Sequence, residues 1–127
     1  MSEHDEQVIL FQWAALQTNI CPALDLMFAV PNGAKLPWRK NEQGRRYSPE
    51  AKRLKDEGLK AGVPDVWLPV PNHGFHGLVI ELKDGDGKLR PEQVDWLDAL
   101  NQYGYKATCC RGADDAIQTI MEYLGIK

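Results

Sequence analysis

Asp65 closes the segment Gly62-Val63-Pro64-Asp65, and Glu81-Leu82-Lys83 follows further along the chain. Side chains alternate along a strand, so positions two apart share a face. A strand from Gly77 to Lys83 would bury Leu78, Ile80 and Leu82 on one side and carry Glu81 and Lys83 together on the other. The apolar Val66-Trp67-Leu68 begins directly after Asp65 and can bring that carboxylate alongside. Two carboxylates and an ammonium converging at a sheet end make a site for a hard cation with a proton-handling group beside it. Oxygen ligands of this kind favour Mg²⁺ or Mn²⁺ over zinc. A divalent cation there lowers the pKa of water and relieves charge on a phosphate, and a lysine adds electrostatic stabilisation. That chemistry suits phosphodiester hydrolysis. A plain surface ion pair between Glu81 and Lys83 is the competing reading and would be worth little. It requires a wet face, whereas a carboxylate inside a short apolar run is costly unless paired or metal-bound.

The flanking sequence predicts the elements that must hold these groups. Ser2 caps a helix from Glu3 to about Thr18, with Asp5 three residues on and Val8, Phe11, Ala15 and Leu16 on one face. Leu26 to Val30 reads as a short strand entering a turn at Pro31-Asn32-Gly33. Residues 33–47 lack periodicity and read as a basic, mobile loop. Ser48-Pro49-Glu50 opens a helix to about Glu57, stopped by Gly58. Strands over Asp65–Leu68 and Leu78–Lys83 form a hairpin-like antiparallel pair. A helix from Pro91 to Tyr103, a strand from Tyr105 to Cys110 and a helix from Ala113 to Leu124 complete the chain. The order α-β-α-β-β-α-β-α gives an α/β fold, a mixed four-stranded sheet flanked by helices. On the Pro91 helix, Gln93 shares a face with Trp96, Leu97 and Leu100, so its amide must find a partner. The carboxylate–lysine cluster is one answer and a backbone group the other.

A chain of 127 residues, 43% hydrophobic and 26% charged, is expected to form a single domain over residues 1–127. No apolar run approaches the ~20 residues of a membrane helix, and the acidic N-terminus is unlike a secretory signal. Cytoplasmic residence and no membrane partner are therefore expected. Three cysteines, two of them adjacent, suit buried thiols rather than a disulfide framework. Net charge is −3, but Lys35 to Lys60 holds nine Lys and Arg against four Asp and Glu. Lys35, Arg39, Lys40, Arg45, Arg46 and Arg53 are candidates to track a phosphate backbone. Other motifs lead nowhere: His73 and His76 lack a third ligand for zinc, and Asp84-Gly-Asp-Gly lacks the later acidic positions of a calcium loop.

Gly-Val-Pro-Asp, then Glu-Leu-Lys, then a glutamine on the next helix resembles the PD-(D/E)xK nuclease superfamily. Three further features resemble its VRR-NUC branch, in its stand-alone viral and bacterial form: Val30-Pro31-Asn32-Gly33 before a basic segment, Arg53-Leu54-Lys55 with Gly58-Leu59-Lys60-Ala61-Gly62 leading into Pro64-Asp65, and Glu3 with Gln7 on a first helix. The resemblance runs from about Glu3 to Leu124 and implies a restriction-endonuclease-like core. It implies that Asp65, Glu81 and the main-chain carbonyl of Leu82 bind Mg²⁺ or Mn²⁺. It further implies that Lys83 orients and helps deprotonate the attacking water, that Gln93 supports the site, and that Glu3 is the first-helix acid, with Glu6 the alternative. Stand-alone members of this kind act as homodimers on branched DNA, including four-way (Holliday) junctions, so the same substrate and assembly are expected here. Trp38, Phe75 and Trp13 are candidates for a dimer interface.

The leading expectation is thus a metal-dependent DNA endonuclease. The alternative is a non-catalytic DNA-binding or assembly module that retains the fold, which gives no physical reason to keep Asp65, Glu81 and Lys83 together. A metal enzyme for a small phosphorylated molecule ranks third, because the basic segment is larger than such a ligand needs.

Overall fold

The computed structural model describes residues 1–31 and 36–127. Helix α1, Glu3–Gln17, opens on a reciprocal cap: Ser2 Oγ accepts the Asp5 N–H at 3.1 Å, and the Asp5 carboxylate accepts the Ser2 N–H at 3.3 Å. A 3-10 turn at Pro22–Leu26 leads into the short strand β1, Phe28–Ala29. Strands β2, Arg39–Lys40, and β3, Arg46–Tyr47, precede helix α2, Pro49–Asp56. Strands β4, Val66–Leu68, and β5, Leu78–Lys83, are followed by helix α3, Pro91–Gln102. Strand β6, Lys106–Arg111, and helix α4, Ala113–Leu124, close the chain.

The main sheet has the order β1-β4-β5-β6. Strands β4 and β5 pair antiparallel, Val66 opposite Ile80, and β5 and β6 pair parallel, Glu81 opposite Cys109. The sheet is mixed, as expected from one loop connection, Pro69 to Gly77, between β4 and β5 and one helical crossover through α3. Every residue of β5 is buried. Its Leu78, Ile80 and Leu82 join a core with Leu10 and Ala14 of α1 and Ala116 and Ile120 of α4. Its Val79 packs on the opposite face with Leu97 of α3 and Ala107 of β6. The Tyr123 hydroxyl donates to the Val70 carbonyl at 2.7 Å and ties the end of α4 to the β4–β5 connection. His73 and His76 belong to that connection, His73 with a positive φ of 52° and His76 against Tyr105, as turn residues. The cysteines are free thiols, Cys110 buried and Cys21 and Cys109 half-buried.

Two expectations need correction. The apolar stripe assigned to α1 is not its buried face: Val8 is 41% and Leu16 78% exposed, while Leu10 and Ala14 are sealed. The helix is apolar on more than one side, so periodicity alone selects the wrong stripe. Trp13, half-buried, packs against the core. Nor is 33–47 simply a loop. From Arg39 it is a hairpin, Arg39 opposite Tyr47 and Lys40 opposite Arg46. Asn41 Oδ1 accepts the N–H groups of Gln43 and Arg45 at 3.0 and 2.9 Å, and Gly44 turns the chain at φ +79°. Two-residue strands exposed on both faces carry no alternation, so the Asx turn was the available sign. Lys35 and the Asn32-Gly33 turn lie outside the described residues.

Candidate active site

The site forms where β4 and β5 diverge. Pro64 is buried and Asp65 enters β4, so its side chain reaches across to β5. Leu82 donates its N–H to Asp65 Oδ2 at 2.9 Å, and the Asp65 N–H donates to Glu81 Oε2 at 3.2 Å. Each acid is thus fixed by the other's strand. Glu81 is only 2% exposed. Its second oxygen, Oε1, accepts the Gln93 amide at 2.5 Å, and Gln93 Oε1 in turn accepts the Arg90 N–H at 2.9 Å. Gln93 lies in the first turn of α3, one turn before Leu97, which explains why it faces the sheet rather than water. Lys83 follows Glu81 on the same face, 8% exposed. Among the described residues it makes no ion pair within 4.0 Å, so its charge is uncommitted to a carboxylate.

Burial pushes the Glu81 carboxyl up to about 8, and the Asp65 carboxylate beside it adds to the rise, against the opposing pull of Lys83. Two acids forced together out of water are a site short of positive charge. The donor set fits a divalent cation of the magnesium type. Each ionised carboxylate oxygen has lone pairs beyond the hydrogen bond it already accepts. No cluster of three or more His, Cys, Asp and Glu capable of holding a metal occurs among the described residues. The two carboxylates offer oxygen donors, the kind Mg²⁺ takes, rather than the thiolate and imidazole set usual for zinc.

The acids open onto a cleft of about 180 Å³. Trp38, Leu59, Val63, Lys60 and Arg90 line it with Asp65 and Glu81. Of these, sequence reasoning offered Trp38 only for an interface, took Leu59, Lys60 and Val63 only as motif residues, and missed Arg90. Arg90 was the most accessible of them, since it caps the helix that carries Gln93. Among the described residues no third carboxylate, Glu3 included, joins Asp65 and Glu81 in a group able to hold a metal. Glu6 Oε2 instead accepts the Ala113 N–H at 2.5 Å, at the start of α4. Glu6, Leu10 and Ala14 are spaced by four, so the correct buried stripe would have shown Glu6 to face the fold. The basic candidates Arg39, Lys40, Arg45 and Arg46 all lie exposed on the β2–β3 hairpin, and Arg53 lies exposed on α2. Arg39 and Arg53 form loose surface pairs, with Glu50 at 3.8 Å and Glu57 at 3.9 Å.

The sequence profile of the VRR-NUC domain matches residues 1–114. The chain belongs to the VRR-NUC family. Its fold is therefore of the nuclease type, with Asp65, Glu81, Lys83 and Gln93 all inside the matched region. A solved structure described as a VRR_NUC domain protein superimposes with a TM-score of 0.78 at 26% identity. The match covers 100% of this chain and 91% of the other. No curated protein matches the chain. The mixed four-stranded sheet with flanking helices is thus the VRR-NUC architecture, and among the described residues no helix is long and apolar enough to cross a membrane.

Proposed function

We propose that this VRR-NUC chain is a divalent-metal-dependent DNA endonuclease of residues 1–127, acting as a homodimer on branched DNA such as four-way junctions. The observation that carries the reading is the interlocked acid pair: Asp65 and Glu81, each hydrogen-bonded to the other's strand, with Lys83 on the same face and Gln93 closing the buried side. Asp65, Glu81 and the Leu82 carbonyl would hold Mg²⁺ or Mn²⁺. The bound cation supplies Lewis acidity and a more acidic water at neutral pH.

The chain's own residues do the rest. Gln93 holds Glu81 in one rotamer, which keeps the two carboxylates convergent at no cost in reorganisation. The Leu82 N–H does the same for Asp65. Lys83, which makes no ion pair among the described residues, orients the attacking water through its ammonium donors, and its charge helps that water to release a proton to solvent. Its positive charge then opposes the negative charge that develops on the phosphorane. The hairpin cations Arg39, Lys40, Arg45 and Arg46 bind backbone phosphates, and Arg53 extends that surface along α2. The surface pairs made by Arg39 and Arg53 are worth ~0–1 kcal/mol and yield readily to a phosphate.

A two-fold dimer is supported by the apolar surface that the monomer leaves open. Val8 and Phe11 of α1 adjoin Ala29 of β1, an edge strand whose Phe28 is 47% exposed. Edges of this kind are ordinarily covered. Two active sites related by a two-fold axis suit symmetric cutting of a junction. The test is cleavage of a four-way junction, a flap, linear duplex and single strand of shared arm sequence, in Mg²⁺ or Mn²⁺, beside the Glu81→Ala protein. Symmetric cuts near the junction, lost in the variant, are expected. Normal cutting by Glu81→Ala would overturn the assignment. Metal-indifferent binding with no cutting of any substrate would favour a binding module instead.

A further inference from the structure

We propose that the cleft beside Asp65 and Glu81 is a nucleobase subsite, which takes one unpaired base next to the scissile phosphate and stacks it against Trp38. The inference deepens the nuclease reading and rests on it. A metal and a phosphate alone would engage only the polar part of this cleft. It also carries Trp38, Leu59 and Val63 on the same lining as the two acids, with the cations of Lys60 and Arg90 among them. An indole, aliphatic walls and nearby ammonium and guanidinium groups are the chemistry of a base with its attached phosphate. Base–aromatic stacking is tolerant of sequence, because every base has a π-face.

The cleft is held in shape before any ligand arrives. The Arg46 guanidinium sits 5.4 Å from the centre of the Trp38 ring and couples the cleft wall to the basic hairpin. Trp96 Nε1 donates to the Ala61 carbonyl at 3.1 Å, which pins the opposite wall to α3. Gly62 has φ +86°, and a Cβ there would fall 2.7 Å from the Glu92 carbonyl oxygen. The segment carrying Val63 and Asp65 therefore approaches the first turn of α3 more closely than any other residue would permit.

An intact duplex keeps its bases stacked and paired, and extruding one costs several kcal/mol, least where pairing is already broken. Branch points and flap junctions are such places. The cleft would thus favour them without reading a sequence, which gives the monomer its own preference for branched DNA, independent of dimer geometry.

The test walks a single abasic residue across the branch point of a flap and of a four-way junction. Binding is read by anisotropy in Ca²⁺ and cutting in Mg²⁺, for wild type, Trp38→Ala, Trp38→Phe and Glu81→Gln. One position is expected at which removing the base weakens wild-type binding roughly tenfold. The same loss should be absent in Trp38→Ala and restored in Trp38→Phe. A flat walk in the wild type overturns the subsite without reference to any variant, as does an equal abasic penalty in wild type and Trp38→Ala. Glu81-dependent cutting with a flat walk removes the subsite and leaves the nuclease. A coupled abasic position with no cutting that Glu81→Gln abolishes keeps the subsite and removes the nuclease.

Discussion

The two faces of β5 are both sealed from water, yet they are built from opposite materials. Leu78, Ile80 and Leu82 meet α1 and α4 in a continuous apolar core. Val79 begins the other face in the same style, against Leu97, but Glu81 and Lys83 then replace hydrocarbon with charge. The change coincides with the helix above: where α3 presents Leu97 the strand offers Val79, and where it presents Gln93 the strand offers Glu81. One face spends burial on stability. The other gives stability up whenever Glu81 ionises, because its carboxylate loses hydration that one glutamine amide and one backbone N–H only partly replace. That cost is the one the proposed cation would offset.

The largest expected effects separate the faces cleanly. Glu81→Ala should reduce Mg²⁺-dependent cutting by on the order of a thousandfold or more, with cooperative unfolding intact. Ile80→Ala, one residue away, should cost about 2–5 kcal/mol of stability while cutting persists below its melting temperature. Parallel denaturation and cleavage assays check both. Equal activity loss in the two variants, or severe unfolding by Glu81→Ala, would collapse the distinction. Lys83→Ala belongs with Glu81→Ala: cutting is lost while DNA binding is retained.

A titration sharpens the same contrast. The Glu81 carboxyl has its folded value raised from 4.5 to about 8, so between these limits the folded protein holds a proton that the unfolded chain has released. Stability of the metal-free protein must then fall as pH rises through that window, by the sign of proton linkage. A divalent cation that binds the ionised site should reverse the trend at the alkaline end. Melting curves from pH 5 to 9 in chelator should decline, and in Glu81→Gln that decline should flatten, with a higher melting temperature near pH 8 than wild type. A wild-type profile that rises between pH 5 and 8 in chelator would contradict the buried-carboxylate account.

The sequence made the charged face legible because its rule is short-range: alternation put Glu81 and Lys83 together, and Pro64-Asp65 supplied the second acid beside them. It also foresaw that the Gln93 amide needed a partner, since a polar residue on an apolar helical stripe has few places to go. What it could not show depends on tertiary choice. Helix α1 has apolar residues around much of its circumference, so only packing against α4 decides that Leu10 and Ala14 turn inward while Val8 and Leu16 do not. The β2–β3 hairpin escaped because its strands are too short and too exposed to have a pattern. That Trp38 lines the cleft was not legible either, because a segment without periodicity brings it there.

Gln93→Ala should have an intermediate effect, roughly 10- to 100-fold on metal affinity or activity, because Glu81 remains but loses the contact that aims it. The discriminating readout is the split between metal titration and turnover at saturating metal. A positioning role raises the Mg²⁺ concentration needed for half-maximal cutting and leaves the maximal rate closer to wild type.

The smallest effect concerns the acid of the first helix. Glu6 lies on the side of the sheet where α1 and α4 pack, and it accepts the Ala113 N–H, while the residue at the cap of α4 is Gly112, which has no side chain to do so. Gly112 donates its own N–H to the Lys83 carbonyl at 2.9 Å, so this junction anchors the end of β5 as well as the start of α4. Glu6 is therefore a long-range substitute for a helix cap, with its negative charge at the positive end of the helix dipole. Glu6→Ala should cost about 1–2 kcal/mol, and cutting should change little at a temperature where the variant is folded. Glu3→Ala should do less still, since the Glu3 side chain makes no hydrogen bond or ion pair among the described residues. A hundredfold loss of cutting in Glu6→Ala without loss of stability would move this acid from the apolar side of the comparison to the reacting side.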